Sequence, residues 1–149
     1  HEDWAENWKP EAAKKIMNAA LTTHGTGVDA VLAANDGTAG GAVQALLEEG
    51  LAGKVLVLGQ DAELAACQRI ARGTQSMTIY KSLKLEASTA AAAAVRLARR
   101  QVVVARHEVP DPAGPVPSIL MDVTAVDKDN LEATVVAEGF HPREAVFGK

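Results

Sequence analysis

The stretch Ala33-Ala34-Asn35-Asp36-Gly37-Thr38-Ala39-Gly40-Gly41 decides the fold of this 149-residue chain. A short apolar run over residues 28–34 leads into it, and an amphipathic run over residues 39–47 leads out of it. An apolar strand followed by a polar elbow and a helix is typical of parallel α/β proteins, in which ligands bind at the carboxyl ends of the strands. Asn35 lies at that end, and its amide offers two donors and an acceptor that suit a hydroxyl-rich ligand.

The same elbow also has a purely structural interpretation. Side-chain oxygens of Asp36 or Thr38 would cap the helix that follows. A turn-and-cap role accounts for Asn35 and Asp36 as well as a ligand site does, because caps and turns of this kind are common. The elbow alone therefore leaves both interpretations open.

The strand–elbow–helix pattern recurs twice further along. Residues 55–58 form a continuous apolar strand, as expected when helices cover both faces of a sheet, and the strand is followed by Asp61. A third strand over residues 77–80 ends at Lys81. If the strands are parallel neighbours, Asn35, Asp61 and Lys81 gather along one edge of the sheet. We therefore predict an α/β fold, a three-layer parallel sheet flanked by helices, with a polar site at that edge.

The remaining segments are less regular, and their patterns predict mainly helices and loops. One predicted helix begins at Pro10 and closes at residues 24–27, and others cover 38–49, 62–72 and 83–100, with a short helix over 127–138. The other predictions are a short strand over 102–104, a loop over 111–117, a strand over 118–123 and a loosely held tail over 140–149.

Composition narrows the class of protein. The chain is 48% hydrophobic, so it can bury a core, and its net charge of −4 without a basic stripe argues against a nucleic-acid partner. No apolar run approaches the roughly 18 residues that a membrane helix needs. The chain begins at His1 rather than Met and has no signal segment, so we expect a processed or trimmed chain.

Signatures of catalysis are absent from the sequence. The glycine-rich stretch lacks the Lys-Ser or Lys-Thr of a phosphate-binding loop, and no Gly-x-Gly-x-x-Gly follows a strand. The single cysteine, Cys67, lies on a helix face and is interpreted as a small core residue rather than a nucleophile. We predict no catalytic residue and no cofactor. We also predict no metal site, since the four histidines lack metal-ligand spacing. These histidines are His1, His24, His107 and His141.

Trp8 is unusual because it is a tryptophan among polar residues, just before a helix. It packs on its own helix in one interpretation. In the other it lies flat beside the site, as a stacking platform for the C–H face of a sugar ring. Its position alone leaves both interpretations open.

Several motifs resemble the xylose-binding proteins of bacterial ABC importers, which are sugar-binding members of the type I periplasmic binding proteins. The similarity covers nearly the whole chain, with the motifs in the same order and at similar spacing. These motifs are residues 8–11 (WKPE), 34–42 (ANDGTAGGA), 59–62 (GQDA), 73–81 (GTQSMTIYK), 116–120 (VPSIL) and 138–141 (EGFH).

The resemblance implies a non-enzymatic receptor whose two α/β lobes, joined by a hinge, close on one monosaccharide, xylose or similar. It implies that Trp8 stacks on the sugar and that Asn35, Asp61 and Lys81 hydrogen-bond its hydroxyls. It also implies an extracytoplasmic location, in the periplasm or anchored at the cell surface, and a membrane permease as partner.

The chain is about half the length expected from this resemblance. We expect residues 1–81 to form part of the carboxyl-terminal sugar-binding lobe. Residues 82–149 would supply the crossover helix, proline-rich loop, strand and tail that contact an amino-terminal lobe, which is absent here. The missing lobe, or a second copy of the chain, is therefore an expected partner.

Two alternatives stay open at this point. Sensor domains of transcription regulators and of membrane histidine kinases share these sugar-binding lobes. An α/β enzyme fragment, such as part of a dehydrogenase, belongs to a different class, and the missing phosphate loop argues against it.

Overall fold

The computed structural model describes residues 1–148, and these fall into two compact units. The first unit comprises His1–Tyr80 together with the chain from Thr124 onward, and the second comprises Lys81–Val123. Lys149, the end of the predicted tail and of the predicted region 82–149, lies outside the described residues. The division into residues 1–81 and 82–149, with contacts to another lobe, stays a prediction.

The elements follow one another as helix and strand over the first 80 residues. In chain order they are a 3₁₀ turn (Glu6–Trp8), α1 (Pro10–His24), β1 (Ala30–Leu32), α2 (Asp36–Glu48), β2 (Leu56–Gln60), α3 (Leu64–Arg72), β3 (Met77–Tyr80), α4 (Leu83–Ala98), β4 (His107–Val109), β5 (Val116–Ser118), β6 (Thr124–Asp127), a π-helical turn (Glu132–Val136) and α5 (Arg143–Phe147). No helix within residues 1–148 has both the length and the apolar character needed to cross a membrane.

The first unit contains a four-stranded sheet in the order β1-β2-β3-β6. β1 pairs parallel with β2, and β2 pairs parallel with β3, which confirms the predicted parallel α/β arrangement. β6 pairs antiparallel with β3, with Tyr80 opposite Thr124. The sheet is therefore mixed at this edge.

The predicted order of elements after residue 100 is wrong in several places. Residues 102–104 form no strand, and the strands lie at 116–118 and 124–127 rather than at 118–123. Residues 127–138 contain a π-helical turn and not the predicted short helix. β6 depends on pairing with β3, more than forty residues earlier, so its own local pattern does not reveal it.

Two hydrophobic clusters form the core of the first unit, and α2 and α3 anchor one cluster each. The first cluster contains Met17, Leu21, Ala39, Ala42, Val43, Ala45, Leu46, Val55 and Val57. The second contains Ala62, Cys67, Ile70, Tyr80, Val126, Leu131, Val135 and Val146.

Burial alternates along β2 and β3, so one face of these strands is more deeply covered than the other. Val57 on β2 and Thr78 on β3 are buried, whereas Leu56 is 58% exposed. The face of β2 that carries Leu56 is therefore less deeply covered than the face that carries Val57. The edge strand β1 likewise leaves Leu32 86% exposed.

The segment after residue 139 is packed rather than loosely held, which corrects the prediction for the tail over its described residues. Gln68 Nε2 on α3 donates to the Ala145 carbonyl (2.8 Å), and Val146 on α5 is buried in the second cluster. The His141 ring lies 4.6 Å from that of Phe140, and Phe140 contacts Tyr80. Aromatic and aliphatic groups thus fix this segment on α3 and β3.

The second unit contains α4 and the antiparallel pair β4–β5. The structure describes every residue from 81 to 123, and none of them is buried. This unit therefore has no hydrophobic core of its own.

Candidate functional site

Three polar residues follow the carboxyl ends of three adjacent parallel strands. Asn35 comes shortly after β1, Asp61 directly follows β2, and Lys81 directly follows β3. Because the carboxyl ends of parallel strands meet at one edge of a sheet, the backbone brings Asn35 and Asp61, which both belong to the first unit, to the same edge. Lys81 is the first residue of the second unit. The role of all three as ligand contacts stays a prediction.

Asn35 itself, rather than Asp36 or Thr38 alone, caps helix α2. Asn35 Oδ1 accepts hydrogen bonds from the Thr38 backbone N–H (2.9 Å) and from Thr38 Oγ1 (2.7 Å), and the Asn35 N–H approaches Thr38 Oγ1 (3.3 Å). This reciprocal arrangement is a capping box. From the Asn35 side chain the cap uses Oδ1 only, and the two amide hydrogens on Nδ2 lie outside it. The structural and ligand-binding interpretations of Asn35 are therefore compatible.

The loop after β2 adopts an unusual backbone conformation. Asp61 has φ +99° and Ala62 has φ +51°, a region that non-glycine residues rarely adopt. The Asp61 N–H donates to the Ile79 carbonyl (2.8 Å), which ties the loop to β3. Strained backbone of this kind is found preferentially at functional sites, where surrounding contacts hold it in place.

Trp8 does not pack into the core. It lies at the end of the 3₁₀ turn with φ +59° and keeps 60% of its surface exposed. It lines a groove of about 920 Å³, together with residues 1–5, α1 and β1, and Thr38 lines the same groove. Neither Asn35 nor Asp61 lines this groove, and Thr38, which hydrogen-bonds Asn35, does line it. The stacking role of Trp8 beside the strand ends stays a prediction.

A buried carboxylate next to Asn35 ties the strand ends together. Asp36 Oδ1 accepts from Gln75 Nε2 (2.8 Å), and Oδ2 accepts from Thr78 Oγ1 (2.8 Å) and from the Glu63 N–H (3.0 Å). Asp36 and Thr78 are completely buried, and Gln75 is nearly so. A Cβ atom at Gly59 would collide with the Asp36 carboxylate, so the glycine in β2 makes room for this network.

Arg69 on α3 completes the network. Its Nε donates to Gln75 Oε1 (2.9 Å) and its Nη2 donates to the Asp36 carbonyl (2.8 Å). Burial raises the pKa of Asp36, and the hydrogen bonds from Thr78 and Gln75 only partly oppose this effect. Burial also lowers the pKa of Arg69. Within residues 1–148, no buried side-chain nitrogen or oxygen lacks a hydrogen-bond partner.

The sequence pattern does not predict Gln75, Thr78 and Arg69 as parts of one network. Two local signals point to it: a glycine at position 59 at the end of an apolar run, and a threonine inside β3. The partners of Asp36 lie 27 to 42 residues away along the chain, so no local spacing pattern reveals them.

The Cys67 thiol has a structural role rather than a catalytic one. Cys67 is buried in the second cluster, as predicted, and burial raises the pKa of its thiol to about 11. A thiol that stays protonated at neutral pH is a poor nucleophile. Within residues 1–148, no group of three or more His, Cys, Asp and Glu side chains is placed to hold a metal ion.

Comparison with known proteins places this geometry in a family. The chain is 46% identical over 146 residues to the D-xylose-binding periplasmic protein of Haemophilus influenzae, covering 98% of this chain and 44% of that protein. It is 49% identical over 140 residues to the D-xylose-binding periplasmic protein of Escherichia coli, covering 94% of this chain and 42% of that protein. The chain thus spans less than half the length of these relatives.

Solved structures give the same result for the fold. A carbohydrate transporter solute binding protein from Chloroflexus aurantiacus, in complex with D-glucose, superposes with a TM-score of 0.85 at 34% identity. The match covers 93% of this chain and 42% of that one. A family model described as a periplasmic binding protein domain matches residues 2–101. The chain therefore belongs to the periplasmic binding protein domain family.

Proposed function

We propose that this chain is the carboxyl-terminal part of the substrate-binding component of an ABC importer for a xylose-type monosaccharide. The single observation that carries the proposal is the placement of Asn35 and Asp61 at the carboxyl ends of adjacent parallel strands. The similarity of the chain to two D-xylose-binding periplasmic proteins supports the choice of sugar. An extracytoplasmic location, in the periplasm or at the cell surface, follows from the same proposal.

The chemistry of the four proposed contacts suits a sugar. Asn35 Nδ2 and the Lys81 ammonium offer donors, and the Asp61 carboxylate offers acceptors. A sugar hydroxyl can both donate and accept a hydrogen bond, so it finds a partner in either role. Bonds to the charged Asp61 and Lys81 are of the stronger, charge-assisted kind. The exposed indole of Trp8 provides a flat surface for the C–H face of a sugar ring. None of these roles requires catalysis, and the proposed protein is not an enzyme.

The proposal also specifies partners. A sugar held at the strand-end edge needs an amino-terminal lobe to cover its other side, and an importer needs a membrane permease to receive the sugar. A second copy of this chain is the alternative partner for the surfaces that the missing lobe would cover.

Calorimetric titration with xylose and glucose tests the proposal in a full-length protein that carries these residues together with an amino-terminal lobe. Asp61→Ala should weaken binding by on the order of 1–3 kcal/mol, because it leaves sugar hydroxyls and neighbouring donors unpaired. Lys9→Ala is the control, since Lys9 is exposed and lies beside Trp8 in the sequence. The affinity of the Lys9→Ala variant for either sugar should stay close to that of the wild type.

Trp8→Ala is the second arm of the same titration. The substitution should weaken sugar binding through the loss of stacked area, while the melting temperature stays unchanged because the indole is exposed. Unchanged affinity would return Trp8 to a structural role. Equal affinities for D61A, K9A and the wild type would reject the strand-end site.

A further inference from the structure

We infer that Asp36 and Thr78 are positioning residues that hold loop 61–63, and with it the carboxylate of Asp61, in the conformation required for sugar binding. The inference rests on the proposed function and assigns the site a supporting layer beneath its contact residues.

Loop 61–63 is fixed through its backbone groups, one after another. Thr78 Oγ1 accepts from the Ala62 N–H (3.1 Å) and donates to Asp36 Oδ2 (2.8 Å). The same Asp36 oxygen accepts from the Glu63 N–H (3.0 Å). Two consecutive amides of the loop are thereby bound to one hydroxyl–carboxylate pair.

Two further hydrogen bonds hold the loop. His141 Nε2 donates to the Ala62 carbonyl (2.8 Å), and the Asp61 N–H donates to the Ile79 carbonyl (2.8 Å). The hydrogen bonds thus converge on the two residues with positive φ. Because such backbone persists only where surrounding contacts hold it, these bonds account for the conformation of Asp61.

Neither positioning residue can contact a ligand itself. Asp36 and Thr78 have no exposed surface, whereas Asp61 and the neighbouring Asn35 are partly exposed. Asp36 is also the first residue of α2, directly after Asn35. One carboxylate therefore couples two of the strand ends proposed to bind sugar.

The test compares Thr78→Val with Thr78→Ser. The valine keeps the β-branched shape but removes both hydroxyl bonds, and the serine restores the hydroxyl. Val43→Ala is the matched control, since it truncates a buried residue of the first cluster, which does not include the loop. Amide hydrogen exchange is measured in the 149-residue chain, and xylose affinity is measured in the full-length protein.

We expect T78V to speed exchange at the Ala62 amide and to raise the dissociation constant for xylose, each by at least about tenfold. T78S should recover most of both effects. V43A should lower the melting temperature and leave both readouts unchanged. A V43A variant that loses as much affinity as T78V at an equal loss of melting temperature would overturn the inference, because general destabilisation would then explain the result.

The two proposals fail in different ways. A wild-type full-length protein that binds no sugar would overturn the proposed function, and exchange at Ala62 and Glu63 would still decide whether Thr78 and Asp36 hold the loop. Binding by the wild type with unchanged affinity in T78V would overturn the positioning role and leave the proposed function intact.

Discussion

The Asp36 carboxylate is completely buried, yet it accepts three hydrogen bonds from elements far apart in the sequence. Burying a charged group without partners is costly, and here the partners satisfy it. The network joins the start of α2, the loop before α3 and strand β3 at one point. At the scale of single residues, this carboxylate organises the edge on which the proposed sugar contacts lie.

The raised pKa of Asp36 has a consequence for stability. Since burial raises the pKa, the folded chain keeps this proton to a higher pH than the unfolded chain does. The associated stability is present at low pH and is lost as pH rises from the ordinary aspartate pKa through the raised one. We expect the unfolding free energy of the wild type to fall with pH relative to that of Asp36→Asn.

Urea denaturation of both proteins from about pH 4 to about pH 7 measures this difference. Glu63 contributes in the same direction, because partial burial raises its pKa and the charge of Asp36 adds to the effect. If the unfolding free energy of the wild type instead rises with pH relative to that of D36N, the prediction is contradicted. Such a rise would mean that folding lowers the pKa of Asp36.

At the scale of helices and strands, α4 differs from the other long helices because it buries no side chain. Its stability depends on the helix propensity of its alanines, and isolated helices of this length are marginal in water. Helix α2, by contrast, carries a capping box and buries eight residues.

Amide hydrogen exchange should therefore separate α4 from α2. We expect amides in the middle of α4 to exchange faster than those of Val43 and Leu46 by at least about two orders of magnitude, because local opening of α4 exposes no core. Addition of the amino-terminal lobe should slow exchange in α4 and leave α2 unchanged. Equal protection of the two helices in the 149-residue chain would contradict the prediction.

The same difference explains which elements could be predicted from the sequence. β3 lies at the predicted residues 77–80, and β2 lies at Leu56–Gln60 rather than at 55–58, because apolar runs bounded by polar elbows determine both strands locally. β1 is shorter than the predicted 28–34. β6 was missed because its pairing with β3 is not encoded in its own pattern, and the packing of α5 on α3 was missed for the same reason.

For the site, the sequence predicted positions better than interactions. The strand ends at Asn35, Asp61 and Lys81 follow from local patterns and the rules of parallel sheets. The capping role of Asn35 and the network around Asp36 depend on hydrogen-bond geometry, and in the network these bonds join residues that only folding brings together.

At the scale of the whole chain, much apolar surface is exposed. Leu32 and Leu56 are exposed on the sheet of the first unit, and no residue of the second unit is buried. Exposed strand edges and apolar patches tend to find partners. We expect the 149-residue chain to associate, either with an amino-terminal lobe or with a second copy of itself.

Size-exclusion chromatography with light scattering, with and without xylose, measures this association. The chain alone should bind xylose more weakly than roughly millimolar, because one side of the sugar stays in water and association entropy must still be offset. A monomer that binds xylose at micromolar concentration would show that these 149 residues hold a complete site.

The antiparallel pairing of β3 with β6 has a topological consequence. Tyr80 and Thr124 are register partners, so the chain leaves the first unit and returns to it at neighbouring points. Residues 81–123 thus form an insertion between two strands of a hairpin. A two-residue Asn-Gly turn is long enough to join antiparallel strands at such a position. The first unit is in this sense a small domain whose chain is interrupted once, between residues 80 and 124. A graft of unrelated sequence at this point would meet the same geometric requirement, which is that its two ends lie close together.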